Sequence, residues 1–231
     1  MSIHLPRLDE LRAHIRDGND PNAYFRDFEK SLSEIPQKLK QFRDIEAELQ
    51  LLDPVAWEHL KTEAIPYLTR RDPNRGWEQL FNILNQAKAY NFLVRQNHEG
   101  VRFVPRAVGK KTPDLEGHKG ASRVLCEVKT VNISKDEAGY RASGQARGVT
   151  LTLPQGIFNK LKSDVKTATG QMRAYDAAAG QMLYCIVNFD DHLHEYADDY
   201  CPQLEAYIRD NSEESLQVVF DIKPPFYSAM G

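Results

Sequence analysis

Two short segments carry residue types that could do chemistry together: TPDLEG, with Pro113 and Asp114, and VLCEVKT, with Glu127, Val128 and Lys129. Side chains alternate along a strand, so Glu127 and Lys129 project to one face while Cys126, Val128 and Thr130 project to the other. A buried strand does not ordinarily carry both charges. Hydrolysis of a phosphodiester at neutral pH needs the developing charge neutralised and a hydroxide supplied, and two carboxylates holding Mg²⁺ do both. A lysine two residues on can touch the same phosphate or the attacking water. A Glu-x-Lys triplet arises about once by chance at this composition, so the information lies in its surroundings: a β-type run, a Pro-Asp dipeptide on the preceding strand, and helices on both sides. The bland alternative is a solvent-facing Glu127–Lys129 pair on an antiparallel strand.

The elements that must position these residues are readable from periodicity and punctuation. Residues 1–70 place apolar side chains at three- and four-residue spacing in segments broken by Pro21, Pro36, Pro54 and Pro66, which predicts helices. Arg70 to Asn74 reads as a connector with turn chemistry, giving a helical N-terminal region over 1–71 and a second domain over 72–231. Phe25, Phe28, Phe42 and Trp57 of the first region need a surface to bury against, either the second domain, a second copy or a partner protein. In the second domain the spacing predicts a helix from about Arg75 to Val94 and strands at Val101–Ala107, Thr112–Glu116 and Arg123–Asn132, with Gly117 and Gly120 turning the last two. A glycine-rich loop over 133–148 and a short strand at Val149–Leu153 follow. Then come a long helix at Pro154–Ala179, an apolar strand at Gln181–Phe189, a helix at Tyr200–Arg209 and a last strand at Leu216–Ile222.

The Pro-Asp and Glu-Val-Lys segments, set on strands in the order helix, three strands, helix, strand, resemble the PD-(D/E)XK, or restriction-endonuclease-like, nucleases. The resemblance covers about half the chain and leaves out residues 1–70. It implies an α/β fold, a mixed sheet flanked by helices, here preceded by an all-helical region. It implies Mg²⁺-dependent cleavage of DNA, with Mn²⁺ able to substitute. Asp114 matches the motif aspartate, Glu127 the second acidic residue and Lys129 the lysine, and the Val128 carbonyl joins the metal set. Glu78 matches an acidic residue on the first core helix that completes the metal shell in many members. It sits beside the apolar stripe of Trp77, Leu80, Phe81 and Leu84, where a first-turn carboxylate favoured by the helix dipole is the other reading. Gln171 and Tyr175, four apart on the second core helix, resemble a pair found in a subset of the family, the other reading being a buried-rim tyrosine. Lys166 and Arg173 on that helix are phosphate contacts in the first case and surface charges in the second.

Net charge is −3, which excludes a protein that coats nucleic acid through bulk electrostatics. The distribution is uneven. Residues 71–135 hold 12 Lys/Arg against 6 Asp/Glu, between flanks of 10 against 13 and 8 against 14. A polyanion site in the middle third would draw on Lys110 and Lys111, and on Arg141 and Arg147 of the following loop. A solvated face beside acidic neighbours is the alternative. Three cysteines without a CxxC pair suggest neither a disulfide framework nor a zinc site. Mean hydropathy is −0.57 and no run of about 18 apolar residues occurs, so no membrane partner is expected. The start, MSIHLPRLDE, lacks secretory features, and a cytoplasmic location is expected. Walker, GxGxxG and GxSxG patterns do not occur. A catalytically inactive nucleic-acid-binding or assembly module with the same fold is the rival reading, and an interaction scaffold built on the helices a third.

Overall fold

The structure, a computed structural model, describes residues 4–73, 76–106, 109, 111–131, 151–188, 197–212 and 215–223. The N-terminal segments form α1 (Pro6–Arg12), α2 (Phe28–Glu34), α3 (Pro36–Gln50) and α4 (Pro54–Ala64), followed by a 3₁₀ turn at Ile65–Tyr67. Pro6, Pro36 and Pro54 each open a helix, where the missing amide hydrogen would have had no intrahelical partner. Asp53 caps α4: one carboxylate oxygen accepts from the Val55 and Ala56 amides at 2.8 Å each, and the other accepts from the Tyr90 hydroxyl at 2.7 Å. Buried Glu46 on α3 serves α1 in the same way, accepting from the amides of Arg7 at 3.1 Å and Leu8 at 2.9 Å.

The described residues group into two units, one running through Asn91 and the other starting at Phe92. The core of the first is aromatic. The Tyr24 ring meets Phe25, Phe42, Trp77 and Phe81 edge-on at 4.9–5.8 Å, and Phe28 packs on Phe42. The N-terminal aromatics therefore bury against one another and against α5 (Glu78–Leu84). The single helix expected from about Arg75 to Val94 is two, α5 and α6 (Gln86–Arg95), interrupted at buried Asn85, a residue type that favours helix ends over helix interiors. Asn97 ends α6 at φ +59°, and the His98 amide reaches back to the Leu93 carbonyl at 3.0 Å.

In the second unit β1 (Glu99–Phe103), β2 (Leu115–Lys119) and β3 (Ser122–Val131) pair antiparallel. α7 (Gln155–Tyr175) crosses to β4 (Gly180–Asn188), and α8 (Ala197–Asn211) crosses to β5 (Leu216–Lys223), both parallel additions. The sheet order is β1-β2-β3-β4-β5. The protein is thus α/β, a mixed five-stranded sheet flanked by helices and preceded in the chain by a helical N-terminal region. Leu125 and Val131 of β3 and Leu183, Cys185 and Val187 of β4 share a core with Leu161, Ala168 and Met172 of α7 and Tyr200 and Leu204 of α8.

The β2–β3 hairpin differs from expectation. β2 starts at Leu115, so Asp114 stands just before it rather than within it. The turn is at Gly120, φ +61°, joining Lys119 to Ser122, and Gly117 lies inside β2. Gly117 is needed for closeness rather than turning, because a Cβ there would meet Val101 Cγ2 of β1 at 3.2 Å. α7 ends at Tyr175, short of the expected Ala179, since Asp176 is extended and its carboxylate accepts from the Ala178 amide. Leu151 and Thr152 form a bend rather than a strand. Residues 132–150, which include the expected glycine-rich loop, lie outside the described residues. No helix among the described residues is long and apolar enough to cross a membrane.

Candidate active site

β3 faces α7 with Leu125, Glu127, Lys129 and Val131, so two charged residues occupy the middle of an otherwise apolar face. The hairpin register pairs Leu115 with Cys126 and Glu116 with Leu125. Continued by one residue, it sets Asp114 opposite Glu127. Facing positions in an antiparallel pair have Cβ atoms about 4.5–5.5 Å apart, so the two carboxylates are neighbours by construction. The Val104 amide donates to the Asp114 carbonyl at 3.0 Å, which fixes the backbone there.

Asp114 Oδ2 accepts from the Val128 amide at 2.8 Å. Lys129 Nζ donates to Glu127 Oε1 at 2.5 Å, and Gln171 Nε2 donates to Glu127 Oε2 at 2.8 Å and also to the Thr112 carbonyl. Gln171 thereby ties α7 both to the second carboxylate and to the segment that carries the first. Glu127 is only 3% exposed. Burial pushes its carboxyl up, the Asp114 charge pushes it further, and Lys129 pulls the other way; the result is about 7. Burial also raises the Asp114 carboxyl, against the Val128 amide and the charges of Lys129 and Arg106. For Lys129 burial works against the ammonium, but Glu127, Asp114 and Asp164 outweigh it and hold its pKa above the ordinary lysine value.

Asp114, Glu127, Lys129, the Val128 backbone and Gln171 therefore meet at one place. Tyr175 does not join them: it lies under the Arg123 guanidinium, 5.3 Å from ring centre to Cζ. Lys166 and Arg173 are exposed on α7 and lie about 140° and 200° around the helix from Gln171. Lys111 is exposed. Glu78 opens α5 in the first unit. Lys110, Arg141 and Arg147 lie outside the described residues. Cys126 and Cys185 are buried, and burial raises both thiols, as fits packing rather than nucleophilic roles.

Sequence reasoning missed Asp164. It sits on α7 between Leu161 and Ala168, inside the stripe that faces the sheet, and is 6% exposed. An acidic residue three after one stripe leucine and four before a stripe alanine was the available signal. It also missed a neighbouring ion network: buried Glu116 accepts from Arg102 and Arg123, and Arg123 Nη1 donates to Asp176 at 2.9 Å.

The arrangement offers two oxygen donors close together in a desolvated place, with a protonated lysine against one of them. Among the described residues, no group of three or more His, Cys, Asp or Glu is placed to hold a metal ion. The chain matches no family model, no curated protein and no solved structure.

Proposed function

We propose that the chain is a metal-dependent deoxyribonuclease of the PD-(D/E)XK kind, hydrolysing phosphodiester bonds in DNA. The observation that supports this most is the hairpin register, which faces Asp114 with Glu127 while Lys129 stands on the same face. The donor set fits Mg²⁺ or Mn²⁺: both donors are hard oxygens, and burial and mutual repulsion leave them short of positive charge. Asp114, Glu127 and the Val128 carbonyl would hold the ion. Bound there, it supplies charge neutralisation at the phosphate and an acidified water.

The protein's own groups do the rest. Lys129, kept protonated by its carboxylate neighbours, is the donor for a phosphate oxygen or the attacking water. Gln171 holds Glu127 in one rotamer and, through the Thr112 carbonyl, holds the segment leading to Asp114. Lys110, Lys111, Arg141 and Arg147 are the proposed phosphate contacts, and the N-terminal helices serve recognition or assembly. The second reading is an inactive DNA-binding or assembly module. It is favoured by the engagement of both Glu127 oxygens, so that the site as built satisfies itself.

The test is incubation of the full chain with plasmid, linear duplex and single-stranded DNA in Mg²⁺, Mn²⁺, Ca²⁺ or EDTA, beside Lys129→Ala. Cleavage in Mg²⁺ or Mn²⁺, lost in EDTA and in Lys129→Ala, is expected. Binding without cleavage in every metal favours the second reading. Cleavage undiminished in Lys129→Ala removes that residue from the mechanism.

A further inference from the structure

Asp164 is a carboxylate with no evident structural task. It is 6% exposed, and its Oδ2 is fully buried with no hydrogen-bond partner. Oδ1 is taken by Lys160, one turn earlier on α7 and half exposed. A buried, half-satisfied carboxylate costs stability, so a second interaction is expected to repay it. Helix geometry says where to look. Asp164 precedes Gln171 by seven residues, which returns it to within about 20° of the same face and displaces it about 10 Å along the axis. A helix that links parallel β3 and β4 runs antiparallel to both. With Gln171 on Glu127, Asp164 therefore falls over the stretch of β3 from Lys129 to Val131, each strand residue adding about 3.3 Å. Its charge acts through space on Lys129 and on Cys185, the β4 residue registered beside Lys129.

Of the three carboxylates whose charges act on Lys129, Glu127 is engaged with it and Asp164 has an open oxygen. The lysine's bond to Glu127 Oε1 occupies one lone pair, and sets a positive charge, where a cation bound by Asp114 and Glu127 would sit. We propose that Asp164 is a positioning residue for Lys129: it receives the ammonium on Oδ2 when Glu127 turns to a divalent cation, which frees Glu127 and keeps the lysine beside the site. This rests on the metal-site reading of Asp114 and Glu127. It goes beyond that reading because Asp164 touches neither cation nor substrate. Lys160 fixes Oδ1 and so presents Oδ2.

The experiment is a double-mutant cycle read by calorimetric binding of Mn²⁺ alone to the full chain, without DNA. Lys129→Ala removes the competitor for Glu127, and Asp164→Asn removes the alternative partner while preserving volume. Asp164→Asn is expected to weaken Mn²⁺ binding about tenfold, the order set by losing one hydrogen bond between charged groups. In the Lys129→Ala background the same change should have no effect on affinity, and Asp164→Glu should retain most of the wild-type value. A loss that persists in Lys129→Ala makes Asp164 a direct ligand and overturns the proposal. So does an unchanged affinity in Asp164→Asn. Thermal unfolding of each variant guards against misfolding, and Lys160→Met, which leaves the carboxylate in place, gives an independent smaller weakening if Asp164 does not survive substitution. Absence of Mn²⁺ binding by the wild-type chain overturns the metal-site reading, and the inference with it. Wild-type binding with no coupling between Asp164 and Lys129 overturns the inference alone.

Discussion

Replacing Glu127 by glutamine should stabilise the fold at alkaline pH and do nothing near pH 4. The Glu127 carboxyl is pushed up to about 7 in the folded protein, against an ordinary value of 4.5, by burial first and by Asp114 second. A carboxyl raised on folding binds its proton more tightly in the native than in the unfolded chain. Its contribution is fully present below about 4.5 and is lost as pH rises through about 7. At 1.36 kcal/mol per unit, the ionised residue costs about 3 kcal/mol once pH is well above 7. Since about 2–4 °C of melting temperature accompany each kcal/mol in a chain of this size, Glu127→Gln should melt about 6–12 °C above wild type near pH 8.5 in EDTA. Near pH 4, below the unfolded value, the two should melt together. Mn²⁺ should raise the wild-type melting temperature and leave the variant's almost unchanged, because the cation relieves the same repulsion that the substitution abolishes. Calorimetric scans across this pH range, with and without metal, read all of this directly. A variant less stable than wild type by the same amount at both pH values would refute the reasoning: it would mean that the Lys129–Glu127 pair is a net gain and that the carboxylates do not oppose one another.

Arg123→Ala should cost about 2–3 kcal/mol, screened somewhat because Arg123 is a third exposed, since it leaves buried Glu116 with Arg102 alone; urea unfolding measures it. Burial works against the Glu116 carboxylate, but Arg123 and Arg102 outweigh it and hold it below the ordinary range, so that contribution is present at neutral pH and lost on acidification, and the variant should lose acid sensitivity. Reversing Lys110 and Lys111 to glutamate should weaken DNA binding by the full chain and lower the slope of log affinity against log salt by about two if each meets one phosphate. Unchanged affinity and slope would place the substrate elsewhere.

The element order and the pairing of Glu127 with Lys129 on one face were legible because strand alternation and helix periodicity depend on nearby residues alone. The facing of Asp114 with Glu127 was legible in principle and depended on the turn. Both Gly117 and Gly120 read as turn residues, yet only a turn at Gly120 gives the register that sets Asp114 across from Glu127. Gly117 serves a contact with Val101 in a third strand, which no local pattern reveals. The break at Asn85 was hidden for a similar reason, as the apolar stripe continues through it while the backbone only tightens there, the Lys88 amide donating to the Asn85 carbonyl three residues back. Gln171 shows the limit of a spacing argument: it and Tyr175 share a helix face, but one reaches Glu127 and the other lies under Arg123. Asp164 was passed over because a lone acidic residue in a helix reads as surface until the strand charges beneath it are known.

Glu116 and Asp114 are two residues apart at the same hairpin, are both desolvated, and shift in opposite directions. Glu116 has two guanidinium partners and ends below the ordinary carboxylate range, so ionising it stabilises the folded hairpin. Asp114 accepts from the Val128 amide and feels the charges of Lys129 and Arg106, yet burial leaves it above that range. A hairpin that can satisfy one carboxylate fully could satisfy another, since Arg106 and Lys129 are near enough for their charges to act on Asp114. The pair Asp114 and Glu127 is therefore not explained by a shortage of cations in this part of the chain. Two charges kept face to face on a covered strand lower stability, and such an arrangement persists where a ligand of opposite charge relieves it. Any cation will relieve the electrostatic repulsion, but only one small enough to take oxygens from both carboxylates will relieve it through direct coordination. For that reason Mn²⁺ and Mg²⁺ should raise the wild-type melting temperature at concentrations where Na⁺ of equal ionic strength does not. If sodium chloride reproduced the whole shift, screening alone would relieve the pair and the metal-site reading would fall.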